Sequence, residues 1–155
     1  MNEVIIDDLD RRILTALQDD ASQTNHQLAE RVHASAPTCL RRVKRLVDAG
    51  VIARQVVLLT PEKLGPTLTA VVEITLDQQG DERQVEFEAL VAGESAVLQC
   101  YRVSPGPDFV LMVQVVDMPA YHALAHRLFA THKNVRNVRS YFSIYRSKFE
   151  TRVAV

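Results

Sequence analysis

One stretch of the chain, residues 35–52, restricts the possible fold more than any other, because it specifies a helix with both of its ends. Ser35 is a good N-cap, Pro37 fits only in a first helical turn, and Gly50 can end the helix in a left-handed conformation. Apolar side chains recur at helical spacing between these marks and are expected to face a core: Leu40, Val43, Leu46 and Val47. The pattern therefore predicts a capped amphipathic helix.

The opposite face of this helix is basic. It holds side chains at positions i, i+3, i+4 and i+7, with Lys44 at its edge: Thr38, Arg41, Arg42 and Arg45. Residues 31–54 carry six basic side chains and one acidic one, whereas residues 1–30 carry two basic and seven acidic ones. Charge focused in this way suits a helix that docks on the DNA backbone, and a merely solvated basic face is the alternative. We predict that these five residues and Ser35 contact DNA.

Two shorter helical patterns precede the basic helix. Residues 7–20 place an apolar stripe on one face (Leu9, Ile13, Ala16 and Leu17), with acidic side chains near the helix N-terminus. Thr24 or Asn25 can cap a second helix that buries Leu28, Ala29 and Val32. Three helices this close together predict a helix-turn-helix, and the β-branched run at residues 51–59 predicts a strand, or wing, after it.

The second half of the chain follows a different pattern, after a linker at residues 61–67 that contains Pro and Gly. Its order is βαββαβ, with strands at 68–76, 95–103, 109–116 and 135–145 and helices at 81–93 and 118–131. The first and third strands are almost continuously apolar and are therefore expected at the centre of the sheet. The predicted fold is α+β: a winged helix-turn-helix domain at 1–60 and a ferredoxin-like domain at 68–155. Helices cover one sheet face, so a second copy is expected on the other.

Composition and the remaining residues narrow the functional classes. No apolar run is long enough to cross a bilayer and the acidic N-terminus has no signal pattern, so we expect a cytoplasmic, nucleoid-associated protein. Cys39 and Cys100 are expected to be reduced thiols. His122 and His126 have i, i+4 spacing, but two ligands make a poor metal site, so solvent-facing histidines are expected. Nothing resembles a nucleophile constellation or a phosphate loop, and no metal or cofactor is expected.

The sequence resembles a known family over nearly its whole length. The pattern Asp-x-x-Asp-Arg-x-Ile-Leu-x-x-Leu-Gln-x-Asp at 7–20, the run 35–52 and the βαββαβ domain are together similar to the Lrp/AsnC (feast/famine) transcription regulators. The resemblance implies binding to double-stranded DNA and dimerisation through the C-terminal domain, with dimers assembling into octamers or other oligomers. It also implies that a small molecule, usually an amino acid, binds between dimers and changes assembly or DNA affinity.

The resemblance also indicates which residues bind the effector. After the second strand the family has a small residue, Gly, two variable residues, Asp and an aromatic, and here the stretch is Ser-Pro-Gly-Pro-Asp-Phe at 104–109. Pro105 stands at the glycine position and offers no N–H to a ligand carboxylate, although Gly106 could substitute by a one-residue shift. The implied effector residues are Ser104, Gly106, Asp108, Met118, Tyr141, Phe142 and Ser143.

Each of these residues also has a structural interpretation. Asp108 could be a hairpin turn residue, Met118 could simply begin a helix, and Phe142 could belong to the core. If the site binds an effector, a carboxylate suits an α-amino group, and an apolar lining favours a leucine-like or methionine-like side chain.

Three hypotheses about function remain from the sequence. The first is an amino-acid-responsive transcription regulator. The second is an effector-free architectural or autoregulatory DNA-binding protein of the same fold, which the proline at position 105 favours. The third is an enzyme or enzyme-regulatory module in which the basic helix is incidental.

Overall fold

The computed structural model describes residues 4–155, and these divide into two compact units. The first contains the described residues up to Leu58 together with Lys148–Val155, and the second is Leu59–Ser147. The C-terminal eight residues, which lie within the predicted second domain at 68–155, are thus grouped with the N-terminal helices. No helix among residues 4–155 is both long and apolar enough to cross a membrane.

Three helices form the first unit, and their ends lie where the local sequence predicts. They are α1 (Asp8–Asp19), α2 (Asn25–Arg31) and α3 (Ala36–Asp48). Thr24 caps α2 through a capping box with Gln27, and Ser35 caps α3 by accepting the Thr38 N–H. After α3, Gly50 takes φ +72°, the left-handed conformation that ends the helix. The predicted boundaries of these helices are confirmed.

The core of the first unit confirms the predicted faces of α1 and α2, and for α3 it confirms Val43 and Leu46 but not the other two predicted residues. The α3 face that packs against the core includes Ala36, Cys39, Val43 and Leu46. Leu40 and Val47, which were expected to face the core, are 62% and 50% exposed. That prediction is wrong because the inward face of α3 is rotated from the position that apolar spacing alone suggested.

The strand predicted at residues 51–59 is not formed. Residues 53–60 have no assigned helix or strand, and the side chains of Val56, Val57, Leu58 and Leu59 are exposed. A strand needs a neighbour for its backbone hydrogen bonds, and this segment pairs with no strand among the described residues.

The second unit follows the predicted βαββαβ order. After a short 3₁₀ turn (Pro61–Lys63) come β1 (Leu68–Leu76), α4 (Asp81–Ala92), β2 (Val97–Arg102), β3 (Phe109–Val115), α5 (Met118–Ala125) and β4 (Val135–Phe142). The end of α5 continues as a π-helical turn at His126–Ala130.

The sheet has the order β2-β3-β1-β4, and every neighbouring pair is antiparallel. The apolar strands β1 and β3 are therefore central, as predicted. Alternate residues of both strands are buried with α4 and α5 in one core, among them Val72, Ile74, Phe109 and Leu111. No helix within residues 4–155 covers the opposite sheet face, and its side chains are half-buried or exposed.

Candidate DNA interface and effector-binding residues

The predicted DNA-contacting residues begin at a tightly capped N-terminus of α3. The Ser35 hydroxyl donates to the Thr38 hydroxyl at 2.8 Å and accepts the Thr38 N–H at 3.4 Å. The Asn25 side-chain amide donates to the Ala36 carbonyl at 2.7 Å and thereby fixes the start of α2 against the start of α3. Ser35 is exposed and Thr38 is half-buried, so the beginning of α3 presents hydroxyl groups on a rigid frame.

Two of the predicted basic residues project freely. Arg41 and Lys44 are exposed, and within residues 4–155 neither side chain has a hydrogen bond or an ion pair. Leu40 lies beside them and is also exposed. This face of α3 therefore combines two unpaired cations with an apolar side chain, a mixture that suits phosphate contacts and apolar contact with a thymine methyl group.

Arg42 and Arg45 instead turn toward α1 and bind its carboxylates. The Arg42 guanidinium donates to Asp7 Oδ2 at 2.5 Å and to both oxygens of Asp10 at 3.2 and 3.3 Å. The Arg45 guanidinium also donates to Asp10, through Oδ2. Because Asp10 is fully buried, the two arginines supply the positive charge that a buried carboxylate requires.

The electrostatics of this cluster also affect Asp7. The pKa of Asp7 falls to about 2, because its carboxylate accepts the Asp10 backbone N–H and is stabilised by the Arg42 guanidinium. The same ion pair raises the pKa of Arg42. The Asp10 carboxylate in turn accepts the Asp7 N–H at 3.1 Å, which completes a capping box at the start of α1.

Sequence reasoning missed this cluster, although a signal for it was present. Asp10 lies at i−3 and i−4 from the buried residues Ile13 and Leu14, so it occupies the inward stripe of α1. A carboxylate in a buried stripe needs a cationic partner, and the basic face of α3 supplies two.

The residues implied as effector-binding fall into two groups in the chain. The first group lies in the loop between β2 and β3. Ser104 is exposed, and Gly106 is exposed with φ +127°. Asp108 is buried: its carboxylate accepts the Leu76 N–H at 2.7 Å and its own N–H donates to the Ile74 carbonyl at 2.8 Å. This loop is therefore anchored at the C-terminal end of β1.

The second group lies at the other end of β1. The Ser143 N–H donates to the Thr69 carbonyl at 2.9 Å. Tyr141 is exposed, whereas Phe142 packs edge-on against Tyr121 with ring centroids 4.9 Å apart. Met118 is exposed and begins α5. It lies three residues after Val115, the β3 residue that pairs with Leu68 at the start of β1.

These two groups do not meet in one chain. The first group is hydrogen-bonded to β1 at Ile74 and the second at Thr69. These two residues are five positions apart, and a strand rises about 3.3 Å per residue. The groups are therefore about 17 Å apart along the strand. A free amino acid cannot contact both groups at once within one chain.

The other candidate residues lie apart from these sites. His122 and His126 are exposed and line a shallow cavity of about 270 Å³ with Phe129 and Val138. The part of the chain that the structure describes holds no cluster of three or more His, Cys, Asp or Glu that could bind a metal. Both cysteines are free, and burial raises the pKa of each thiol.

The fold and the exposed cations together define a class of protein. A helix-turn-helix unit with a basic α3, joined to a βαββαβ domain, is the architecture of a DNA-binding transcription regulator. The family model for winged helix-turn-helix DNA-binding domains matches residues 6–53, and that for the Lrp/AsnC ligand binding domain matches residues 69–153. The chain belongs to the Lrp/AsnC family of transcription regulators.

Individual relatives resemble the chain over nearly its full length. The leucine-responsive regulatory protein of Rhizobium meliloti is 36% identical, with 98% of this chain and 97% of that protein covered. The crystal structure of an AsnC family transcriptional regulator from Agrobacterium tumefaciens has a TM-score of 0.88 at 35% identity and 95% coverage of both chains. A transcriptional regulator from Neisseria meningitidis in complex with L-methionine has a TM-score of 0.87 at 31% identity, also with 95% coverage of both chains.

Proposed function

We propose that this regulator binds specific DNA sequences as a dimer that places two α3 helices in successive major grooves. The observation that carries the proposal is the exposure of Arg41 and Lys44 without any partner in residues 4–155. Ser35 and Thr38 add hydroxyl contacts at the start of α3. Since the target is chromosomal DNA, we place its action in the cytoplasm, at the nucleoid.

Arg42 and Arg45 have a different role in this proposal. Their contacts with Asp7 and Asp10 hold α3 against α1 and so orient the DNA-binding face. The Arg45 side chain is 41% exposed and the Arg42 side chain 23%, so of the two we assign a phosphate contact in the complex to Arg45.

A salt titration of DNA binding tests the assignment. Affinity for the DNA upstream of the protein's own coding sequence is measured by fluorescence anisotropy at increasing salt. Arg41→Ala and Lys44→Ala should each reduce the slope of log K against log salt by about one, because each removes one phosphate contact. Lys133→Ala, an exposed lysine of the second unit, is the matched control and should keep the full slope. Absence of binding at low salt, or equal loss in the control, would contradict the proposal.

We further propose that the open sheet face forms the dimer. Val71 lies between Met112 and Tyr141 on the two neighbouring strands, and all three project from the face that no helix covers. An apolar row of this kind is typical of a surface that a second copy covers. Met112→Arg should therefore lower the molar mass in light scattering, whereas Val85→Arg, on the exposed surface of α4, should not. Assembly of such dimers into octamers is part of the same proposal.

The effector that we propose is an amino acid with an aliphatic or thioether side chain. A related regulator is solved with L-methionine and another is named leucine-responsive, which supports this class. Because the two groups of effector residues lie about 17 Å apart along β1, we infer that residues from different copies complete the site. Gly106 has positive φ, which supports the one-residue shift that replaces Pro105, and Asp108 retains Oδ1 for an α-amino group.

A thermal-shift screen of the free amino acids tests the effector. A ligand that binds only the folded state adds about 2.7 kcal/mol of stability at 100 times its Kd, so L-methionine or L-leucine should raise the melting temperature. D-methionine is the stereochemical control. No shift with any amino acid would instead support the effector-free architectural or autoregulatory protein, which the missing N–H of Pro105 favours.

A further inference from the structure

The C-terminal segment Lys148–Val155 binds the end of α1, although it follows the last strand of the other unit. The Val153 N–H donates to the Gln18 side-chain oxygen at 2.8 Å, and the Gln18 side-chain nitrogen donates to the Val153 carbonyl at 3.0 Å. Gln18 thus pairs with the backbone of the segment through two hydrogen bonds, as a neighbouring strand would.

An ion-pair cluster lies next to this backbone pairing. Arg152 contacts Asp19 Oδ1 at 2.6 Å, and the other oxygen of the same carboxylate accepts from Arg31 of α2. Asp19 therefore links α1, α2 and the C-terminal segment. The hydrogen bonds of Val153 and the ion pair of Arg152 each require one particular position of the segment, so together they select its register.

Because of these non-covalent contacts, the chain connects the DNA-binding unit to the rest of the protein at two places and not at one. The chain leaves the unit after Leu58 and re-enters it at Lys148. The first connection runs through residues 53–60, which have no assigned helix or strand. We propose that the C-terminal segment is an intramolecular ligand of α1, and that its docking restricts the orientations of the DNA-binding unit.

The docking is expected to be reversible. The Gln18 and Arg152 contacts lie at partly exposed positions, where hydrogen bonds and ion pairs are individually weak. Attachment through the chain raises the local concentration of the segment, which compensates for this weakness. Release and docking of the segment therefore provide two states of the DNA-binding unit.

Hydrogen-deuterium exchange of the full chain tests the docking without DNA or effector. The peptide covering 149–155 should exchange about tenfold more slowly than an unstructured peptide of the same sequence. Gln18→Ala and Arg152→Glu should remove that protection. Lys148→Glu makes the same charge change in the same segment at a residue without an ion pair in residues 4–155, and should keep it. Unprotected exchange in the unmodified protein, or equal effects of the two charge reversals, would overturn the docking.

A measurement of DNA affinity tests whether docking of the segment restricts the orientations of the DNA-binding unit. This test rests on the proposed function. Gln18→Ala and Arg152→Glu should weaken binding to the upstream DNA by about threefold, because a freer unit loses more orientational freedom on binding. Lys148→Glu again serves as the charge-matched control. Loss of protection without a change in affinity would refute the orientational role. If the unmodified protein bound no DNA, the proposed function would fail while the exchange result for the docking would still stand.

Discussion

Removal of the Asp10 carboxylate should destabilise the DNA-binding unit far more than removal of its neighbour Asp8. Asp10→Ala removes, at a fully buried position, the carboxylate that accepts from the Asp7 N–H and from both guanidinium groups. Arg42 keeps its ion pair with Asp7, whereas Arg45 loses its carboxylate partner. Breaking a buried ion pair from one side costs about 3–5 kcal/mol. The Arg42 and Arg45 side chains are 23% and 41% exposed, so water can solvate their guanidinium groups and offset part of that cost. We therefore expect the free energy of unfolding to fall by about 2–3 kcal/mol.

Scanning calorimetry of the full chain measures this loss. In a unit of this size each kcal/mol shifts the melting temperature by about 4–8 °C, so its transition should fall by about 10–20 °C. Asp8→Ala removes an exposed carboxylate from the same helical turn and should cost only about 0.5 kcal/mol. Asp10→Asn keeps the shape without the charge and should lie between them. If Asp10→Ala were no more harmful than Asp8→Ala, the buried cluster would not stabilise this unit.

Three further predictions concern the same elements. The folded-state pKa of Asp7 is lowered to about 2, so the stability that its carboxylate contributes is complete above about pH 4 and is lost toward pH 2. The difference in melting temperature between the unmodified protein and Asp7→Asn should therefore shrink as the pH falls from about 4 to about 2. Gly50→Ala forces a left-handed conformation and should cost about 1 kcal/mol in urea unfolding, whereas Gly80→Ala, at φ −66°, should not. Cys39 is fully buried and should react with an aromatic disulfide reagent only upon unfolding, and more slowly than the half-buried Cys100.

Local patterns predicted much of the fold because the interactions behind them are local. The caps at Thr24 and Ser35 and the stop at Gly50 involve residues within one turn of each other, and all three are present. The apolar runs of β1 and β3 predicted the centre of the sheet because central strands have a paired strand along both edges and are less exposed than edge strands.

Predictions that depended on distant partners were less successful. Periodicity placed Leu40 and Val47 toward the core, because it could not include the Asp10 carboxylate that draws Arg42 and Arg45 inward. The strand at 51–59 was predicted from β-branched residues, but strand formation also needs a pairing partner. The effector residues remain a prediction, since the register of β1 separates their two groups within one chain and a site formed between copies is what the resemblance implied.

The sequence by itself determined the helices, the four strands of the sheet, their order and the family, since caps, periodicity and turns are properties of neighbouring residues. Only the tertiary structure decided which cations of α3 stay free, because Arg42 and Arg45 are bound by carboxylates more than 30 positions earlier. It also decided where the C-terminus binds, through a contact between residues 135 positions apart. Such contacts form when packing brings distant segments together, and no local pattern encodes them.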